Sequence, residues 1–164
     1  MDSQERSRAV FDCMIFLQGA ARRESPSGAC LDLARRRMVD LCLSPEILSE
    51  VEQILKRPAV RAKFSTLTDQ LVNDFIQSLL GFSTLFGSVA REYRLERDPK
   101  DEPYLNLACQ SHAAHLVTRD KDLLDLSFSD SEPGTTIRRN HPHLNIVEPI
   151  PFLDTIRRGL RPRA

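Results

Sequence analysis

Four acids sit where an apolar element begins, ends or is interrupted: Asp12, Glu50, Asp101 and Asp120. Asp12 is the one acid in the apolar run Ala9 to Leu17. Glu50 borders an apolar helical stripe, Asp101 lies in the first turn of a helix, and Asp120 follows the short run Leu116 to Thr118. A buried carboxylate without a partner is costly. Several that converge repel one another unless a cation joins them. A ligand set made only of carboxylate oxygens suits Mg²⁺ or Mn²⁺. Each acid also has a plain structural reading. Asp101 is a favourable charge at a helix start, Glu50 a solvated helix residue, and Asp120 a cap for a helix at Lys121. Asp12, with apolar neighbours on both sides, is the hardest to explain as structure alone.

Elements of two kinds would position these acids. Ala9 to Leu17 reads as a strand buried on both faces, the habit of a parallel sheet. Ser25 to Gly28 breaks the chain, and Ala29 to Met38 has helical spacing. Leu41 to Leu43 is a short strand. Ser44 and Pro45 then open a helix striped by Ile47, Leu48, Val51, Ile54 and Leu55, which stops before Pro58. Thr66 or Thr68 caps a helix to Leu80. A strand is expected near Ser88 to Leu95, and Asp98 to Asp101 opens a helix through Ala108. Leu116 to Thr118 is a strand and Lys121 to Leu126 a short helix. Ser127 to Pro142 reads as a polar loop, Leu144 to Val147 as a last strand, and Pro149 to Leu160 as a last helix. Alternating strand and helix give an α/β class with a mostly parallel sheet. In such sheets ligands bind beyond the carboxyl ends of the strands, where strand order reverses. The expected organisation is one domain over 1–164 with its core at about 8–153.

Bulk properties narrow the partners. The formal net charge is +0, so any attraction for nucleic acid must come from local patches. Arg outnumbers Lys, which fits bidentate phosphate contacts and fits a GC-rich coding sequence equally well. Arg35 to Arg37, Arg138–Arg139 and the tail Arg157, Arg158, Arg161 and Arg163 are basic clusters. By default each is a solvated face, and beside the acids each would be an RNA backbone track. Without Trp, and with Tyr93 and Tyr104 as its two Tyr, the chain offers little for base stacking. Cys13, Cys30, Cys42 and Cys109 have apolar neighbours and no C-x-x-C pair, so they read as reduced, buried thiols. The polar start Met1 to Arg8 is no signal peptide, and Phe75 to Ala90 is too mixed to span a bilayer. A cytoplasmic protein is expected. His141 and His143 offer two imidazoles, read as part of a polar loop. His112 and His115, flanking a helix end where positive charge is favourable, are read as structural.

The segments Val10-Phe11-Asp12-Cys13-Met14-Ile15-Phe16, Leu43-Ser44-Pro45-Glu46-Ile47-Leu48-Ser49-Glu50, Arg97-Asp98-Pro99-Lys100-Asp101 and Leu116-Val117-Thr118-Arg119-Asp120-Lys121-Asp122-Leu123-Leu124 occur in the order found in the PIN-domain family. Together they resemble that family, most closely the branch of toxin components of toxin–antitoxin systems. Glu148 to Leu153 resembles that branch's closing segment. The resemblance implies a three-layer PIN-like domain with a five-stranded sheet flanked by helices, and a metal-dependent endoribonuclease. It places the catalytic acids at Asp12, Glu50, Asp101 and Asp120. Asp12, Asp101 and Asp120, assisted by Asp122, would hold Mg²⁺ or Mn²⁺; Asp98 is read as a helix-start residue. Arg119 and Lys121 would contact RNA. The implied partners are an RNA substrate, a cognate antitoxin and a second copy of the chain; the alternative is a catalytically weak module that binds RNA or protein. Two departures stand out. Cys13 and Met14 occupy positions where the family carries a polar pair that steadies the first acid, so Asp12 is expected to be held loosely. Arg119 stands where Gly is common, free either to bind phosphate or to pair with Asp120.

Overall fold

A computed structural model describes residues 5–160. Five short strands form its sheet: β1 (Arg8–Phe11), β2 (Asp40–Leu43), β3 (Ser83–Leu85), β4 (His115–Val117) and β5 (Asn145–Val147). Their order is β3-β2-β1-β4-β5, and every neighbouring pair is parallel. Ala9, Val10, Phe11, Leu41, Leu43, Leu116 and Val117 are all sealed from solvent, as expected of strands covered on both faces. The chain builds outward from β1 to β2 and β3, then returns to add β4 and β5 on the other side. Strand order therefore reverses between β1 and β4, and their carboxyl ends are where a ligand crevice belongs.

Helices flank the sheet: α1 (Cys13–Ala21), α2 (Pro26–Arg35), α3 (Pro45–Leu55), α4 (Pro58–Lys63), α5 (Asp69–Phe82), α6 (Glu102–Gln110), α7 (Lys121–Asp125), α8 (Gly134–Asn140) and α9 (Pro149–Gly159). Helix α6 lies against β1, β2 and β4, while α9 packs on β4 and α2. Ser25, Ser44 and Thr68 cap α2, α3 and α5 through side-chain bonds to Gly28, Ile47 and Leu71 amides. Gly28 permits the tight entry into α2, because a Cβ there would stand 2.0 Å from the Arg23 carbonyl oxygen. Gly19 lets α1 and α2 close together, a Cβ there standing 2.3 Å from Leu31 Cδ1. Among the described residues no helix is long and apolar enough to cross a membrane.

Several boundaries differ from the sequence expectation. The first strand ends at Phe11, and Asp12 caps a helix instead of sitting inside a strand. Cys13 to Leu17 is apolar because α1 is buried, a case that periodicity cannot separate from a buried strand. Ser25 to Gly28 opens α2 rather than interrupting the chain. The third strand is Ser83–Leu85, and Ser88 to Leu95 forms no strand. That segment reads as extended because α6 side chains replace a neighbouring strand. Gln110 bonds Ser88 and Ala90, Asn106 bonds both backbone groups of Tyr93 (2.8 and 3.0 Å), and Glu102 accepts from Leu95 (2.9 Å). These three residues lie four apart, on one stripe of the helix.

Besides α1, two helices were not expected. Helix α4 is a six-residue turn after Pro58. Helix α8 hides in the polar segment 127–142 because Ile137 is its one fully buried apolar anchor. Arg138 holds it in place through the Leu126 and Ser129 carbonyls. His115 lies within β4, where burial pushes its pKa down and favours the neutral ring over the helix-end cation expected for it. Arg161 and Arg163 lie outside the described residues.

Candidate metal centre

Asp12 is the residue that turns β1 into α1. Its Oδ1 accepts from the Met14 and Ile15 amides, each at 3.1 Å. Its Oδ2 accepts a hydrogen bond from the Thr118 hydroxyl. Asp120 does the same work at the end of β4, accepting from the Asp122 and Leu123 amides at 2.8 and 3.3 Å to cap α7. Its own amide donates to the Thr118 Oγ1 at 2.9 Å. One buried hydroxyl thus takes a hydrogen from one acid's backbone and gives its own to the other's carboxylate. Adjacent parallel strands bring the two acids together, and Thr118 fixes their relation.

The third contribution comes from the 3-10 turn Pro99–Asp101, which leads into α6. Side chains three apart in such a turn point the same way. Asp98 and Asp101 therefore face Asp120 together, and one carboxylate oxygen from each of the three lies within 4.8 Å of the others. Asp98 also accepts from the Lys100 amide at 3.2 Å. Asp101 is buried, and its Oδ2 has no hydrogen-bond partner. Burial, then the charges of Asp120, Asp98 and Asp12, raise its pKa to about 8. Asp12 is also raised, by burial above all, against the hydrogen bonds that favour its charged form.

Glu50 is not in this triplet. It lies half-buried on α3, with its Oε2 accepting from the Tyr104 hydroxyl at 3.1 Å. Tyr104, sealed within α6, also meets Cys13, and burial foremost raises both their pKa values, that of Cys13 to about 12. Asp122 is half-buried and turned toward Arg97, with Nη2 to Oδ1 at 3.3 Å. Arg119 is exposed, and its charge, with that of Arg157, acts on the Cys30 thiol of α2. No ion pair joins it to Asp120 among the described residues. Lys121 is the exposed first residue of α7.

Sequence reasoning gave Asp98 only its capping role, although the spacing Asp98–Asp101 across Pro99 was a usable sign. It passed over Thr118 and Tyr104. The expectation that Asp12 is loosely held is overturned, since its partners are two backbone amides and Thr118, none of which depends on the side chains of Cys13 and Met14. Met14 is 43 % exposed and does not fill the core either.

The donors fit a hard divalent cation. In octahedral coordination at about 2.1 Å, ligand oxygens stand roughly 3 Å apart when adjacent and about 4.2 Å apart when opposite. The observed spread is reached by small side-chain rotations, and Asp101 Oδ2 is a buried acceptor that a cation would satisfy. Beside the triplet opens a cavity of about 540 Å³, bounded by Arg94, Arg97, Asp98, Asp122, Leu126 and Pro133.

Comparison with curated proteins and with solved structures gave no match. A family model described as PIN domain matches residues 8–122, from the start of β1 to the second residue of α7. The segment Glu148 to Leu153 lies beyond that match. PIN domains are generally nucleases that use divalent metals, and an acidic cluster is present here at the carboxyl ends of β1 and β4. With the parallel sheet, the acids at its switch point and a family match over most of its length, the chain belongs to the PIN-domain family.

Proposed function

We propose that the chain, as one PIN-like domain, is an Mg²⁺- or Mn²⁺-dependent endoribonuclease. The observation that carries this reading is the carboxylate triplet Asp98, Asp101 and Asp120, of which Asp101 has a buried oxygen without a hydrogen-bond partner. Asp98, Asp101 and Asp120 hold the cation. Asp12, locked to Asp120 through Thr118, adds negative charge that keeps the cation bound. A divalent ion there supplies charge stabilisation for phosphodiester hydrolysis and activates water for it. Glu50, steadied by Tyr104, orients that water. Asp122 releases Arg97 to the substrate phosphate, and Arg119 and Lys121 contact the strand on the α7 side. The RNA product carries a 5′-phosphate. The role is that of a toxin in a toxin–antitoxin pair, acting as a homodimer.

Cleavage of end-labelled RNA and of the matching DNA strand tests this, with Mg²⁺, Mn²⁺ or EDTA, for the natural chain and Asp101→Asn. The expected result is metal-dependent RNA cleavage that Asp101→Asn abolishes. Equal cutting of DNA would make it a general nuclease. Metal binding without any cleavage would make it a binding module.

A further inference from the structure

We propose that His112, His141 and His143 form a second metal site, selective for a borderline transition ion such as Zn²⁺, at the end of the sheet opposite the carboxylates. His112 precedes β4, while His141 and His143 precede β5. Those two strands are parallel neighbours, so the histidines meet at their amino ends, whereas Asp12 and Asp120 follow the carboxyl ends of β1 and β4. Three of the chain's four histidines thus converge from two segments. The His112 and His143 ring centres are 6.0 Å apart, and those of His141 and His143 are 6.2 Å apart.

The spacing is close to what coordination needs. Zn–N bonds of about 2.0–2.1 Å, with roughly 1.1 Å more to each ring centre, put tetrahedral imidazole centres about 5.2 Å apart. The His112–His143 and His141–His143 pairs would close by about 0.8 and about 1.0 Å to reach that spacing, and His112 and His143 are exposed and free to move. His141 is already oriented: its Nε2 is within 2.9 Å of the Tyr93 hydroxyl, which accepts from Asn140 Nδ2. Such a bond on one ring nitrogen is how proteins aim the other at a metal. Pro142 stiffens the link between His141 and His143.

Helix α6 ends with Ala113 N bonded to Ala108 O (3.0 Å) and His112 N to Cys109 O (3.3 Å), and His112 takes φ 55°. Glycine is the usual residue at that position of a helix end, and histidine is one of the few others enriched in that left-handed geometry. A water supplies the fourth ligand. Imidazole donors suit Zn²⁺ and its neighbours, whereas the all-oxygen triplet suits Mg²⁺ and Mn²⁺. The two sites are therefore chemically separable, and a bound ion would clamp the α8–β5 connection to the end of α6.

Zn²⁺ binding is measured by calorimetry on the full chain with excess Mg²⁺, and four-coordinate Co²⁺ by its visible absorption. The variants are His112→Asn/His143→Gln and Asp101→Asn. Asn tolerates the left-handed backbone at 112, both changed positions are exposed, and circular dichroism checks the fold. The natural chain and Asp101→Asn should each bind one Zn²⁺ with similar affinity. The histidine variant should lose at least roughly 10-fold, since each imidazole is one of the few bonds that define such a site. The proposal is overturned by absence of saturable Zn²⁺ binding, by full binding in the histidine variant, or by loss of binding in Asp101→Asn. None of these results depends on whether the chain cuts RNA.

Discussion

Asp101→Asn should stabilise the metal-free protein while removing its response to metal. Two unit charges within 4.8 Å of each other repel by at least roughly 3.5 kcal/mol at an effective dielectric constant of about 20. The folded protein limits this repulsion by holding a proton on Asp101 up to about pH 8, against an ordinary value of 3.8. The unfolded chain gives that proton up in the usual carboxylate range. The native state then binds more protons than the unfolded one, so stability falls as pH rises from about 4 to about 8, and levels off above. Asn carries no such titration. The variant's advantage should therefore grow from about pH 4 to about pH 8 and reach about 3–6 kcal/mol, between one pairwise repulsion and the full shift at about 1.4 kcal/mol per pH unit. For a chain of this size that is roughly 6–24 °C in Tm. Mg²⁺ should narrow the gap, since saturation at about 100 times Kd adds about 2.7 kcal/mol to the natural protein alone. Calorimetric melts of both proteins at the two pH values, with EDTA or Mg²⁺, provide the assay. A gap that does not change with pH would refute the electrostatic reasoning, and equal Mg²⁺ shifts in both proteins would remove Asp101 from the ligand set.

Thr118→Val keeps the buried shape but leaves Asp12 Oδ2 and the Asp120 amide without their partner; urea titration should show a loss of about 2–3 kcal/mol, and calorimetry an Mg²⁺ affinity lower by roughly 10-fold. Thr118→Ser should recover most of both, which a purely steric role for the methyl group would not allow. Asn106→Ala removes two buried bonds to Tyr93 and should cost about 2–3 kcal/mol, with hydrogen exchange at Tyr93 and Leu95 rising more than in β1. Cys13→Thr/Met14→Asn should leave Mg²⁺ affinity unchanged within about threefold, because Asp12 is held by the backbone and Thr118; a gain of 10-fold or more, within the range of second-shell effects, would restore the loosely-held-acid reading.

The legible parts of the sequence were those where local chemistry and tertiary structure agree. Ser44–Pro45 and the apolar stripe behind them fixed α3, and the all-apolar cores of β1, β2 and β4 declared a doubly covered sheet. The strand order, which the succession of elements leaves open, sets the switch point where Asp12 and Asp120 meet. What was misread lies where one residue type serves two causes. The apolar run after Asp12 is buried whether it is strand or helix, and Tyr93 and Leu95 look like strand residues because α6 side chains complete their backbone bonds. In both places the deciding partner is far along the chain.

The same limit explains the acids. Counting carboxylates beside strand ends selected Asp101 and Asp120 but also Glu50, whose partner Tyr104 lies 54 positions away. It set Asp98 aside because its capping bond to Lys100 is a sufficient local account. Capping and metal binding are not exclusive for a carboxylate with two oxygens and about four lone-pair directions. Asp98, Asp12 and Asp120 each use one oxygen to end a turn or start a helix. Such a cap immobilises the carboxylate before any ion arrives, which lowers the ordering cost of binding. Asp101 alone is spared that duty, its side chain capping nothing and its Oδ2 left unpartnered. It is therefore the member of the set whose position in the folded chain has no structural cause, and the one on which a bound cation should have the largest effect.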